Sequence, residues 1–203
     1  MVLVSGNGTN LQALINAEQE RRLGPGTIAA VLSDKPWVYA LARAEAAGIP
    51  VFTEVSNKKL PRHEQRQDLS GRILETAANT GIDLIILAGF LSILEGNIIK
   101  QYAGRIINIH PSLLPKYGGM GMYGERVHRA VLEAGETESG CSVHLVDAGT
   151  DTGPVLLQRK VPVLPDDTAD GLAERVHREE YIAIVDAAIT MVKKIIAERQ
   201  GRL

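Results

Sequence analysis

The sequence holds a single cysteine, Cys141, in 203 residues. One thiol excludes an intrachain disulfide and a multi-cysteine zinc site. Cys141 lies in the alternating run Cys141-Ser142-Val143-His144-Leu145-Val146, which reads as a core strand, so burial is favoured over a nucleophilic role. Aromatics are also scarce, with five Tyr, two Phe and one Trp against twenty Gly, which points to an aliphatic core and many tight turns. No apolar stretch approaches the ~20 residues that a membrane-spanning helix needs. The opening Met1-Val2-Leu3-Val4 runs into a glycine loop without the charged region and cleavage site of a secretory leader, so a cytoplasmic location is the default expectation. A formal net charge of −2 gives no electrostatic case for binding nucleic acid or an anionic membrane. A phosphorylated small molecule stays open, because backbone amides bind phosphate without a basic patch.

What is present is an ordinary globular composition, 45% hydrophobic and 23% charged. Short apolar runs alternate with longer helical patterns, the signature of strands and crossover helices. Strands are expected over residues 2–4, 28–32, 51–52, 82–87, 105–110, 141–146 and 155–163. Helices are expected over 11–22, 36–47, 62–79 and 123–134, with a long final helix from an N-cap at Thr168 to about Arg199. This order predicts an α/β fold: a mostly parallel, Rossmann-like sheet of about seven strands with helices on both faces. No repeat, low-complexity tract or linker interrupts it. A single domain over 1–203 is therefore expected, with an N-terminal half over about 1–105 and a C-terminal half over about 106–203.

Two regions carry chemistry. Ser5-Gly6-Asn7-Gly8-Thr9-Asn10-Leu11 joins the first strand to a helix, where glycines admit a ligand and the helix N-terminus offers unpaired amides to an anion. Leu11 replaces the third glycine of a dinucleotide fingerprint and the Walker lysine is missing, although Asp34 could mimic the ribose-binding acid of a dehydrogenase. The other region is the end of the strand over 105–110. Asn108 and His110 are two residues apart and share a face at its carboxyl end, where open parallel sheets build ligand sites. An amide and an imidazole there suit a carbonyl oxygen gaining negative charge, and the imidazole can also move a proton. Asp151, in the turn Gly149-Thr150-Asp151-Thr152-Gly153-Pro154, would raise the His110 pKa if the two met. A strand-end histidine bonding backbone and an aspartate forming a turn are the plainer alternatives. Ser112 lacks a nucleophile elbow, and His177 with Glu180 lacks further metal ligands. His63, His128 and His144 have no motif context, so surface or structural roles are expected of them.

Four stretches, in order, are Ser-Gly-Asn-Gly-Thr-Asn-Leu at 5–11, Leu-Ala-Gly-Phe at 87–90, Asn-Ile-His-Pro-Ser-Leu-Leu-Pro at 108–115 and Asp-Thr-Gly-Pro at 151–154. Together they resemble the phosphoribosylglycinamide formyltransferase family of purine biosynthesis, from Val2 to about Ile184. The resemblance implies the formyltransferase fold and transfer of a formyl group from 10-formyltetrahydrofolate to the amine of glycinamide ribonucleotide. It implies Asn108, His110 and Asp151 as the catalytic trio, with Asp151 keeping His110 charged. Gly8, Thr9 and Asn10 would hold the ribotide phosphate. His177, Arg178, Glu179 and Glu180 would form the ribotide segment, with Glu180 on the ribose hydroxyls. Leu91, Ser92, Ile93 and Leu94, with Asp147, Ala148, Gly149, Thr150 and Asp151 and with Asn108, would enclose the folate. Arg62 is the choice for the folate glutamate tail, with Arg66 as the alternative. The implied partners are these small molecules, with no metal, nucleic acid or membrane, and a homodimer is common in the family. Residues 116–124 are longer than the family's commonest form. The related deformylase and methionyl-tRNA formyltransferase carry extra domains for which 203 residues leave no room.

Overall fold

The first strand, β1 (Val2–Val4), is only three residues long, and all three are buried. A strand that short persists because it is covered on both faces and paired on both edges. The computed structural model describes residues 1–201, apart from the side chains of Arg62 and His63. Around β1 run β2 (Val31–Ser33), β3 (Val51–Thr53), β4 (Ile85–Leu87), β5 (Ile106–His110), β6 (Glu138–Leu145) and β7 (Val155–Pro162). They form one seven-stranded sheet in the order β3-β2-β1-β4-β5-β6-β7. The first five strands are parallel, and β6 and β7 each pair antiparallel with the preceding strand.

Alternate side chains feed two cores. Val2, Val4, Val31, Ile86, Ile107, Ile109, Cys141 and Val143 pack with residues of α1 (Thr9–Gln19), α2 (Tyr39–Ala46) and α6 (Ala169–Arg199). Leu3, Leu32, Ile85, Leu87 and Ile106 pack on the opposite face with α3 (Arg62–Asn79) and α4 (Asn97–Gln101). Each fully buried Leu or Ile contributes about 1.5–3 kcal/mol relative to exposure, so two apolar faces explain the near-continuous hydrophobic runs. The period of two puts Asn108 and His110 on the second face, in line with Ile106. There the face opens on a cleft.

The structure departs from the sequence reading at several boundaries. Ile28, Ala30, Ile82 and Leu84 are buried but precede the paired residues of β2 and β4. Pairing starts at Val31 in β2 and at Ile85 in β4; ahead of them only the Ala30 and Leu84 carbonyls bond across, to Val2 N and the Met1 amino group, so Ile28 and Ile82 have packing but no ladder. The α2 helix begins at Tyr39 because Trp37 takes a left-handed φ of 60°. The five-residue α4 is too short to show a helical period. Thr168 caps α6 as expected, accepting from Gly171 N at 3.1 Å.

Order within the sheet places the site. The chain leaves β1 toward β2 and β3, then crosses back to place β4 on the other side of β1. Where the order reverses, the loops after the two strands diverge and leave a crevice at their carboxyl ends.

Candidate active site

A cleft of ≈ 830 Å³ occupies that crevice, and residues 6–10, 87–94 and 108–111 line it. Gly8 lies at φ 74° and is the N-cap of α1. A Cβ on it would overlap Ala40, so the position demands glycine both for its backbone and for its space. No side chain caps α1, and its first turn carries no acid. The amides of that turn therefore face the cleft with the positive end of the helix dipole. Asn10 Nδ2 donates to Glu180 Oε2 at 3.1 Å, joining the loop to α6. Asn10 Oδ1 is buried without a partner. Burial raises the Glu180 pKa, and His177 and the Asn10 bond act in the opposite direction. His177 and Glu180 line the cleft, whereas Arg178 and Glu179 do not; Glu179 instead pairs with Arg159 Nε at 2.5 Å.

The opposite end is walled by Leu91, Ser92, Ile93 and Leu94 and by Gly149, Thr150 and Asp151. Asp147 and Ala148 stand off this wall. Asp147 Oδ1 accepts from Thr152 Oγ1 at 2.7 Å and Gly149 N at 2.9 Å, so it shapes the turn that presents Asp151. The Thr152 bond outweighs desolvation and lowers the Asp147 pKa. Arg66 lines the cleft with its Nη1 3.1 Å from Glu95, while the side chain of Arg62 lies outside the described residues. Asp34 accepts from Ser92 Oγ at 2.6 Å and does not line the cleft, which removes the dehydrogenase alternative for that acid.

Between the two ends, three distant segments meet. His110 is 4% exposed, with Nδ1 3.6 Å from Asp151 Oδ2 and Nε2 2.8 Å from the Tyr117 carbonyl. A carbonyl only accepts, so Nε2 carries a hydrogen and Nδ1 is the nitrogen that faces the carboxylate. Asp151 adopts φ 58°, a left-handed conformation that costs a non-glycine residue about 1 kcal/mol. Its Oδ2 also accepts from Gly119 N at 2.9 Å. Burial lowers the His110 pKa, and Asp151 pushes it back up without prevailing. The sequence reading expected a net rise; desolvation of a nearly enclosed imidazole is the larger effect. For Asp151, burial pushes the pKa up, but the hydrogen bond from the Gly119 amide and the charge of His110 help to hold it below the usual value.

The remaining donor, Asn108, has Nδ2 3.0 Å from His144 Nε2. His144 was read as structural, yet it lines the cleft, 3.5 Å from Asp151 Oδ1. The signal was available: Ser142 and His144 alternate with Cys141 and Val143 along β6, as Asn108 and His110 alternate with Ile107 and Ile109 along β5. His128, also missed, is buried on the cleft wall with Nδ1 unpartnered. Burial, then His177 and His110, lower its pKa to about 4. Ser112 Oγ donates to the Lys116 carbonyl at 2.6 Å, a structural tie and not a nucleophile's geometry. Burial pushes the Cys141 thiol up to about 12, which keeps it unreactive. Among the described residues no cluster of three or more His, Cys, Asp or Glu could hold a metal ion, and no helix is long and apolar enough to cross a membrane.

An amide, an imidazole and a carboxylate beside an anion-binding helix end suit attack on a carbonyl by a phosphorylated nucleophile. Residues 1–188 match the formyl transferase family model. The chain is 41% identical to phosphoribosylglycinamide formyltransferase of Escherichia coli, over 89% of this chain and 81% of that protein. It is 44% identical to the trifunctional purine biosynthetic protein adenosine-3 of Drosophila melanogaster over 94% of its own length, but spans only 14% of that protein. Glycinamide ribonucleotide transformylase 1 from Symbiobacterium toebii superposes with a TM-score of 0.86 at 38% identity, over 95% of this chain and 86% of that one. The chain belongs to the formyl transferase family, in its phosphoribosylglycinamide formyltransferase group.

Proposed function

We propose that the chain is a single formyltransferase domain that moves the formyl group of 10-formyltetrahydrofolate to the primary amine of glycinamide ribonucleotide in purine biosynthesis. The observation that carries this reading is the convergence of Asn108, His110 and Asp151 beside the uncapped N-terminus of α1, in one cleft. Gly8, Thr9 and Asn10 hold the phosphate by backbone amides, and Glu180 and His177 hold the sugar side. Leu91–Leu94 and Gly149–Asp151 enclose the pterin, and Arg66 or Arg62 meets the glutamate tail. Fixing the phosphate aims the amine at the formyl carbon, so remote binding energy serves reaction geometry.

The amine lone pair forms the new C–N bond, and the formyl C=O pair becomes an oxyanion. Asn108 Nδ2 and protonated His110 Nδ1 donate to that oxygen. Each well-placed donor is worth about 3–4 kcal/mol. Asp151 stabilises the imidazolium against the burial that disfavours it. The oxyanion then collapses, the bond to folate N10 breaks, and N10 takes a proton in place of the one lost by the amine. Water as acceptor in place of the amine would make the chain a deformylase.

The test mixes enzyme, ribotide and 10-formyltetrahydrofolate and follows deformylated folate. The expected result is release that requires ribotide. Release without ribotide would assign water as the acceptor, and no release would reduce the chain to a binding module. His110→Ala should lower turnover by orders of magnitude with folate affinity changed only a few-fold; a near-wild-type rate would remove His110 from the mechanism.

A further inference from the structure

Three partners surround the imidazole of His144, which is 2% exposed. Nδ1 lies 2.9 Å from the Leu145 carbonyl, and Nε2 lies 3.0 Å from Asn108 Nδ2 and 3.5 Å from Asp151 Oδ1. We infer that His144 is a positioning residue, held as its Nδ1–H tautomer, whose bare Nε2 fixes the orientation of the Asn108 amide. This rests on the reading of Asn108 as an oxyanion donor.

The tautomer follows from the acceptor. The Leu145 carbonyl has no hydrogen, so Nδ1 must supply one. A neutral imidazole then has a lone pair at Nε2, and the group that satisfies it at 3.0 Å must be a donor. Asn108 has one donor group, its amide nitrogen, so that nitrogen and not Oδ1 faces His144. The nitrogen carries two hydrogens. One is engaged by His144 and the other remains for the cleft. At 3.5 Å Asp151 is too far to compete for the contact.

Backbone register makes the contact rigid. Asn108 is the direct cross-strand partner of His144 in the β5–β6 ladder, and His110 is that of Ser142. Ser142 Oγ donates to the Ser112 carbonyl at 2.6 Å and accepts from Leu114 N at 2.9 Å, so it ties down the chain leaving His110. A bulge between Val143 and His144 in the β6–β7 pairing breaks the ladder at this residue. Bulges re-aim side chains next to sites. Without an acceptor at His144, the amide could turn and offer its oxygen to the developing oxyanion, which repels it.

The test uses the intact enzyme. His144→Leu should lower kcat by about 10- to 100-fold, less than the roughly 10²–10³ for outright loss of one oxyanion donor because the amide is misaimed and not removed, with KM for both substrates within about threefold. His144→Gln, whose Oε1 is again an acceptor, should recover most of the rate. In an Asn108→Ala background, His144→Leu should cost less than about twofold, because its target is gone. Long-range nitrogen–proton NMR of the wild type should show hydrogen on Nδ1 and none on Nε2 of His144. Multiplying losses in the double variant, equal losses in the Gln and Leu variants, or a hydrogen on Nε2 would each overturn the inference. The NMR result stands even where a variant fails to fold. Full transfer by Asn108→Ala alone would locate the failure in the oxyanion reading, and this inference would fall with it.

Discussion

At one end of the cleft, residues 6–10 present backbone amides on a helix terminus, and the residue that shapes them is a glycine at φ 74°. At the centre, His110 and His144 are 4% and 2% exposed, and apart from the adjoining Leu145 carbonyl their partners lie 7 to 41 residues away in sequence. The first device takes its charge from the peptide group and is complete within one turn of chain. The second takes it from ionisable side chains, and burial opposes the charge on His110. A helix terminus stays polar at every pH, so it suits holding a phosphate. A desolvated imidazole beside a carboxylate can take up or release a proton, so it suits a reacting oxygen.

Asp151→Asn should break the central device most severely. Asn tolerates the left-handed φ of 58°, so the backbone survives while the charge is lost. Turnover should fall by about 10²–10⁴ with folate affinity changed only a few-fold. Because Asp151 raises the His110 pKa against burial, the variant should also lose rate at a lower pH than wild type as pH rises, which a pH–rate profile measures.

His128 lies between the two devices, and its effect is on stability. Its pKa falls from 6.5 to about 4 on folding, so between those values the unfolded chain binds a proton that the native one refuses. Stability therefore drops as pH falls from 6.5 toward 4, by a total on the order of 3 kcal/mol. Urea unfolding of His128→Gln across that window should show a flatter dependence; an identical slope would remove His128 as the cause.

The loop end should respond more mildly and to one substrate only. Gly8→Ala puts a side chain at positive φ and into Ala40, and kcat/KM for ribotide should fall roughly tenfold, from about 1 kcal/mol of backbone strain plus the overlap. Folate affinity, measured by titration, should not change. Thr9→Ala removes one neutral hydroxyl, worth about 0.5–1.5 kcal/mol, and should raise the ribotide KM about two- to fivefold. Equal effects on both substrates would erase the distinction between the ends.

The same contrast separates what could be read along the chain from what could not. The seven apolar runs and the glycine loop are local patterns, and each became an element or a turn close to its expected place. The shortened β2 and β4 show the limit, since Ile28 and Ile82 are apolar enough for strands and lack only a neighbour to pair with. Asn108 and His110 were legible because two polar residues at strand period stand out in an apolar run. Ser142 and His144 share that period, but polar residues in a strand whose alternation fits an edge look the same whether they face solvent, core or site.

Periodicity, turn residues and four short motifs, all short-range properties, were enough to establish an α/β chain with a glycine loop between its first strand and helix and a polar strand end. Tertiary structure alone decided that Asp151 meets His110 through Nδ1, that Tyr117 occupies Nε2, and that His144 stands against Asn108. The physical reason is desolvation and pairing at long range. The sign of a pKa shift and the tautomer of a ring depend on which groups crowd around it in space, and the linear order of residues does not contain that arrangement.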